Sequence, residues 1–448
     1  MSTSKKVFVL GMARSGYEAA KLLVSKGYEV IINDANTEQN LEQVKELQSF
    51  GVKIILGSHP DDLFDNSFDM IIKNPGISNK HKYVEKALEL NIPVINELEL
   101  AFRYFPTGVK IVGVTGTNGK TTTTTLIYEI LKKASLDVLL MGNIGYPVCS
   151  FVSQLKNNSI AVMEVSDHQL CNVVDFKTDI SVLTNISEAH LDFHGSYDIY
   201  KSMKKRIFNH HTKSNISIIN SDDKEVLSLT EDIDSTKKYF SFSSPNKLGC
   251  EVNDGYIYYN DQRIISIEEI KIKGRHNYEN AMAAIAVSKE LGVENDAIVN
   301  VLKTFEGVEH RIEYVKTINN IDFYNDSKAT NIKSTQTALS SFTRPTIVLL
   351  GGLDRGQSFD GLKEYLTNVK LIVAFGEVKV RVDEFAKQCQ IPCKVANSLH
   401  EATEIAYTLA SDGYVVLLSP ACAAWDQFKD FEVRGNLFKE YVNNLESK

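Results

Sequence analysis

The sequence predicts an α/β fold in three domains. Two observations carry this: short apolar runs alternate with helical patterns along the chain, and 448 residues at roughly 150 per domain divide into about three cores. Hydrophobic residues at 43% and charged residues at 24% describe an ordinary globular chain, not a disordered or fibrous one. A net charge of −8 leaves no basic stripe for nucleic acid and no attraction to an anionic membrane surface. Small-molecule chemistry is the expectation.

The first domain, expected over 1–98, shows KVFVLG, YEAAKLLVSKG, YEVIIND, NLEQVKELQSFG and VKIILG in turn, the βαβ rhythm of a Rossmann-like parallel sheet. FDMIIKNPGIS and IPVINELEL continue it, with Pro75-Gly76 marking a loop at a strand end. Pro and Gly in FRYFPTGVK then separate the helical ELELAFRYF from a new strand, KIVGVTG. The central domain, expected over 99–307, carries DVLLMGNIG, SIAVMEVS, DISVLTNIS and SISIIN as strands and ends on the helix NYENAMAAIAVSKELG. The runs YFSFSS, GYIYYN and RIISI between 239 and 267 read as a small antiparallel addition. The last domain, expected over 308–448, shows IDFYNDSKATN, TIVLLGG, LIVAFG, CKVAN and YVVLLSPA, a second Rossmann-like sheet.

The six cysteines (149, 171, 250, 389, 393, 422) are scattered. Only Cys389 and Cys393 fall close together, with no second pair to complete a zinc site, so free thiols in a reducing compartment are expected. Four apolar residues between Lys6 and Gly11 are too few for a secretory signal, and no apolar run approaches the roughly 20 residues of a membrane helix. A cytoplasmic protein is expected.

GVTGTNGKTT joins the strand KIVGV to the helix TLIYEILKKASL. Between a strand and a helix, successive backbone N–H groups converge on an anion at the positive end of the helix dipole, so a glycine-rich loop there binds phosphate. The spacing Gly116-x-x-Gly119-Lys120-Thr121 is tighter than the standard one, yet the residue types are those of a P-loop that holds ATP. Gly116, Thr117, Asn118 and Gly119 form the cradle; Lys120 would reach the β and γ phosphates, and the Thr121 hydroxyl would ligate Mg²⁺. Thr122, at the loop's edge, opens a threonine run whose hydroxyls satisfy backbone groups in the first helical turns.

Two further strand ends carry candidate ligands. Glu164 closes the strand in AVMEVSDHQL, where a carboxylate would hold Mg²⁺ or would be a surface residue. His190 follows DISVLTNIS, with Asp192 nearby, and suits a hard metal site or a phosphate contact. Lys120, Glu164 and His190 thus gather at carboxyl ends of strands, where open α/β sheets build active sites. At the N-terminus, VLGMARSG with Asp34 resembles a dinucleotide turn with Ala13 in place of its middle glycine. Such a turn binds a pyrophosphate, and a later acid accepts ribose hydroxyls, so UDP and NAD fit equally.

Taken together, GVTGTNGKTT, NISEAHLDFH, GRHNYENAMAA and VEHRIE resemble the Mur ligases of peptidoglycan synthesis over essentially the whole chain. NDSKATN and LLSPACAAWDQFKDFEVRG are similar to the branch that adds D-glutamate. The resemblance implies an ATP-dependent amide ligase that joins D-glutamate to UDP-N-acetylmuramoyl-L-alanine through an acyl phosphate. It implies that Asn280 and Arg311 help hold ATP and that Asp326 and Lys328 close on it from the last domain. Two Mg²⁺ ions would be served by Thr121, Glu164, His190 and a carbamylated lysine, placed at Lys204 in YKSMKKRIF. Arg14 and Ser15 would lie by the diphosphate or uridine, Asp34 near the uracil ribose, and Gly76 and Asn143 along the sugar nucleotide. Thr330, Arg355, Ala424, Trp425 and Phe431 would form the D-glutamate pocket, with Ala424 standing where the family commonly has serine. Trp425, the only tryptophan, is read from the residues first as packing. The implied partners are these small molecules, with no nucleic acid and no membrane, and the implied state is a monomer. A regulatory ATPase would share the phosphate loop without needing an amine, and a dehydrogenase would need only the N-terminal turn.

Overall fold

The structure, a computed structural model, describes residues 5–144, 146–243 and 248–445, apart from the side chain of Asp192. The chain divides into two compact units, Met1–Phe305 and Glu306–Lys448.

The first unit holds two sheets. One has five parallel strands in the order Lys53–Leu56, Glu29–Asp34, Lys6–Leu10, Met70–Lys73, Val94–Ile95. The chain winds outward from Lys6–Leu10 on one side and returns on the other, so the connections leaving Leu10 and Lys73 diverge. A crevice opens at such a reversal. The turns 11–15 and 74–76 meet in it, joined by Asn74 Nδ2 donating to Ser15 Oγ at 3.0 Å.

The other sheet has nine strands: Gln262–Ser266, Tyr256–Tyr259, Gly249–Asn253, Thr236–Ser241, Ile216–Asn220, Ile180–Leu183, Lys110–Thr115, Ile160–Glu164, Val138–Gly142. The antiparallel addition differs from expectation in extent. The first residues of the YFSFSS run, 239–241, belong to Thr236–Ser241, which pairs parallel to Ile216–Asn220, and only 249–266 forms antiparallel hairpins, continuing the same sheet. Period-2 alternation reports a strand but not its direction, which is why the sequence does not separate the two. The helix Arg275–Glu290 packs its buried AMAAIAVS run on this sheet beside Lys120–Lys133; small alanines let the layers approach.

The two sheets share a continuous core, running from Val7 and Ile72 through Leu98 to Met163 and Ile219. The helix Glu97–Phe102 seals the junction. Its N-cap Asn96 accepts from Glu99 N and donates to Gln169 O, while Glu97 accepts from Cys149 N. The buried Glu99 carboxylate accepts from the backbone N–H groups of Val174, Asp175 and Phe176 at 2.9–3.1 Å and pairs with Arg103 at 3.0 Å.

The second unit carries six strands in the order Glu313–Ile318, Ile321–Asn325, Val415–Leu418, Thr346–Gly351, Val369–Phe375, Cys393–Val395, parallel except for the first pair.

Candidate active site

The phosphate loop is built from glycines that no other residue replaces without strain. Gly116 has φ 147° and Gly119, the N-cap of helix Lys120–Lys133, has φ 80°. A Cβ on Gly119 would collide with Asn280 Oδ1, and one on Gly116 with Thr184 Oγ1. The strand-end segment 184–187 braces the loop from below. Asn118 N donates to Asn185 Oδ1 at 2.8 Å, Thr184 Oγ1 donates to Asn118 O at 2.6 Å, and Thr117 Oγ1 bonds Tyr200 Oη at 2.8 Å. Asn280, expected near ATP, abuts this loop and accepts from Thr123 Oγ1 at 3.2 Å. Lys120 Nζ folds onto the loop, donating to Gly116 O and Thr117 O at 2.9 Å each. Thr124 and Thr125 bond back to Lys120 O and Thr121 O, while Thr122 is buried.

At the next strand end, the Thr121 hydroxyl donates to Glu164 Oε2 at 2.6 Å and Asn143 Nδ2 donates to Oε1 at 2.7 Å. The Thr121 hydroxyl and the Glu164 carboxylate are hard oxygen donors of the sort Mg²⁺ takes, so these residues fit the ion. Asn143, expected along the sugar nucleotide, therefore also orients Glu164.

His190 holds a left-handed backbone (φ 53°) at the head of the short helix Leu191–His194. Its ring centroid lies 4.9 Å from His168 and 6.4 Å from Tyr200. Burial lowers its pKa, and the carboxylate of Asp167 opposes that. Asp192, the partner read from sequence, has its side chain outside the described residues. Lys204 is completely buried: Nζ donates to Gly116 O at 2.8 Å, lies 3.3 Å from Asp167 Oδ1 and sits 4.7 Å over the Tyr200 ring. Burial and the charge of Lys120 pull it down to about 7, against the attraction of Asp167.

Sequence reasoning missed Asp167, His168 and His194. Asp167 Oδ2 lies 3.0 Å from His168 Nδ1 and 2.7 Å from His194 Nε2, the three donor atoms all within 4.8 Å of one another. Burial would raise the Asp167 carboxyl, but the hydrogen bonds from both imidazoles and the charge of Lys204 hold it well below the usual carboxylate range. The adjacent Asp and His just past Glu164, and a histidine four residues after His190, were the available signals.

Asp167 and His168 line a cavity of about 580 Å³ together with Arg14, Ser15, Gly76, Asn143, Lys120 and His190. It therefore brings together the first-sheet turns, the phosphate lysine and the histidine loop. Asp34 stands apart: its oxygens accept from Met12 N at 2.7 Å and Asn36 N at 2.8 Å, fastening the glycine turn.

In the second unit, taken by itself, Asp326 is buried. Its carboxylate accepts from Ser419 Oγ at 2.7 Å and Ile312 N at 3.2 Å, and burial pushes it up to about 7. Arg311 acts on it electrostatically. Lys328 Nζ lies 5.6 Å over the ring of Phe431, and Thr330 N donates to Lys328 O. Beneath them the fully buried Arg434, which sequence reasoning did not single out, donates to Ser327 Oγ, Ser327 O and Cys422 O at 2.9–3.0 Å. Trp425 does not pack: it is 63% exposed, with the Arg355 guanidinium 4.6 Å over its ring. Neighbouring Ala424 is buried, a methyl that the tight turn around it accommodates.

Known proteins resemble the chain throughout. Three family descriptions match in succession: the Mur ligase MurD-like N-terminal domain over residues 5–96, the Mur ligase middle domain over 114–288, and the Mur ligase glutamate ligase domain over 310–422. The UDP-N-acetylmuramoylalanine–D-glutamate ligase of Geobacillus sp. (strain WCH70) is 44% identical over 443 residues, 98% of each chain. That of Bacillus cereus (strain AH820) is 42% identical over 99% of this chain and 98% of the other. Among solved structures, the UDP-N-acetylmuramate-alanine ligase MurC of Thermotoga maritima superposes with a TM-score of 0.63 at 20% identity, over 98% of this chain and 99% of that one. MurF of Acinetobacter baumannii gives 0.62 at 18% identity over 92% and 91%. At such identities these two speak for the fold alone.

Proposed function

The chain belongs to the Mur ligase family, and from that premise we propose how its residues divide the work of an ATP-dependent ligase that adds D-glutamate to UDP-N-acetylmuramoyl-L-alanine. The phosphate loop, Gly116–Thr122, holds the ATP phosphates with Lys120 on the β and γ groups, and Asn280, Arg311, Asp326 and Lys328 contribute to nucleotide binding. The substrate's alanyl carboxylate attacks the γ-phosphorus, ADP leaves, and an acyl phosphate forms. The amine of D-glutamate then attacks the acyl carbon and inorganic phosphate departs, with one proton lost from the amine. This chemistry needs positioned cations and excluded water rather than a protein nucleophile. Mg²⁺, held by Thr121, Glu164, His190 and Lys204, would neutralise charge on the transferring phosphoryl group.

One observation carries the reading: Lys120, His190, Asn143 and the turns of Arg14, Ser15 and Gly76 line a single cavity. A phosphoryl donor and a nucleotide-linked carboxylate can therefore meet there. Arg14 and Ser15 bind the diphosphate end, with Asp34 setting the turn, and Gly76 and Asn143 follow the sugar. Thr330, Arg355, Ala424, Trp425 and Phe431 form the D-glutamate subsite. The exposed Arg355–Trp425 pair is suited to it, offering a cation for a carboxylate on a rigid aromatic support.

Lys204, buried and with its pKa pulled down to about 7, is neutral often enough near neutral pH to react with CO₂ and give a carbamate, the amine nitrogen bonding to carbon as a proton leaves. We take the enzyme to act as a cytoplasmic monomer; among the described residues no helix is long and apolar enough to cross a membrane. Substrate labelled with ¹⁸O in the alanyl carboxylate tests the mechanism. One labelled oxygen should appear in the released phosphate, and unlabelled phosphate would exclude the acyl phosphate.

A further inference from the structure

We propose that Asp167, His168 and His194 form a cation site separate in its ligands from the Mg²⁺ site, selective for a borderline transition-metal ion of the zinc class. Two imidazole nitrogens and one carboxylate oxygen converge within 4.8 Å of one another. A donor set with two imidazoles among three ligands is one that catalytic zinc sites use, whereas Mg²⁺ prefers sets dominated by oxygen, such as that of Thr121, Glu164 and a Lys204 carbamate. Bonds of about 2.0–2.1 Å to tetrahedral zinc require ligand atoms about 3.3–3.5 Å apart. The observed separations from Asp167 Oδ2, 2.7 and 3.0 Å, need only small side-chain rotations to open that far.

The three residues are held in place by local structure. Asp167 and His168 occupy the first turn of the short helix Asp167–Leu170, whose capping box uses both Ser166 and Gln169. His194 closes the helix Leu191–His194, where Gly195 at φ 79° ends it. The side chains of Asp167 and His194 are 4% and 2% exposed, and that of His168 is 22% exposed. Buried ligands exclude competing water, while Asp167 and His168 both line the cavity, so the remaining coordination position faces the ligand space. Asp167 Oδ1 lies separately 3.3 Å from Lys204 Nζ, whose N–H, retained in a carbamate, donates to the outer oxygen in the way that orients a metal-binding carboxylate. An alternative with no metal is a simple hydrogen-bonded His–Asp–His cluster, in which Oδ2 accepts from both rings.

The test uses the full chain, stripped with a chelator and titrated with Zn²⁺ against a competing chromophoric chelator in excess Mg²⁺. One Zn²⁺ per chain is expected, undisplaced by Mg²⁺. His168→Gln and His194→Gln should each weaken it by about tenfold or more while their circular dichroism stays that of the parent. No Zn²⁺ bound by the parent chain, or the parental affinity retained in both variants, overturns the site. Because a variant could fail to fold, Co²⁺ is also added to the unaltered chain. Visible bands of a tetrahedral nitrogen–oxygen site support the assignment. An intense sulfur-to-cobalt charge-transfer band, which would place the metal on cysteines, or a spectrum of hydrated octahedral Co²⁺, contradicts it.

Discussion

Lys120 illustrates how a single side chain links loop geometry to chemistry. With its ammonium returned to the carbonyls of Gly116 and Thr117, it is already beside the anion cradle and needs only a rotation to reach a phosphate. Lys120→Ala should reduce turnover by about 10²–10³-fold or more, the usual loss for a donor that stabilises developing charge, with little change in binding of the UDP substrate. Steady-state kinetics with calorimetric binding checks both halves. Gly119→Ala forces a Cβ against Asn280 at positive φ and should cost on the order of 1–3 kcal/mol of stability with loss of ATP binding, read from thermal unfolding and nucleotide titration. Asp326 carries a pH signature. Its folded pKa, pushed up to about 7, exceeds the unfolded value of roughly 3.9, so the unfolded state holds fewer protons across that interval. Stability from this group is therefore present at low pH and falls as pH rises from about 4 to 7. Asp326→Asn should flatten that slope in denaturant midpoints taken at several pH values; an unchanged slope would remove Asp326 as its source. At this scale the loop residues and Glu164 were legible because their chemistry is tied to strand ends. Asp167, His168 and His194 were not, because 25 residues and a whole strand lie between the dyad and its histidine, a separation that no local spacing encodes.

Among elements, the helix Glu97–Phe102 departs most from what its sequence suggests. ELELAF places two glutamates on what an amphipathic reading would turn toward water, yet both are buried and each receives backbone N–H groups from the neighbouring sheet's loops. Carboxylates here replace missing backbone acceptors, a demand visible only once the two sheets are packed. Glu99→Ala leaves three N–H groups and Arg103 without that acceptor. It should destabilise the chain by about 3–5 kcal/mol, measurable as a shift in urea midpoint, with the loop 172–176 losing hydrogen-exchange protection first. In the helix Lys120–Lys133, Thr124 and Thr125 spend their hydroxyls on backbone carbonyls one turn back, whereas Thr121 and Thr123 turn theirs to Glu164 and Asn280.

At the scale of the molecule, the α/β class and three sheets were legible because the alternation of strands and helices is imposed by the period of burial. The joining of the first two sheets into one unit was not. It depends on a core that runs from Val7 to Ile219 across more than 200 residues of chain, assembled from side chains whose sequence positions give no hint of their contact. A chain limited to residues 1–305 should fold in a single transition and bind the UDP substrate about as the full protein does, because the cavity lining lies wholly within it. Separate unfolding of the two sheets would contradict the shared core. The direct measurement is phosphate release from ATP and Mg²⁺ with UDP-N-acetylmuramoyl-L-alanine, with and without D-glutamate, and mass spectrometry of the product. Release that requires both substrates, with a product heavier by one glutamate residue, is expected. Release indifferent to the amino acid would contradict the ligase and leave an ATPase.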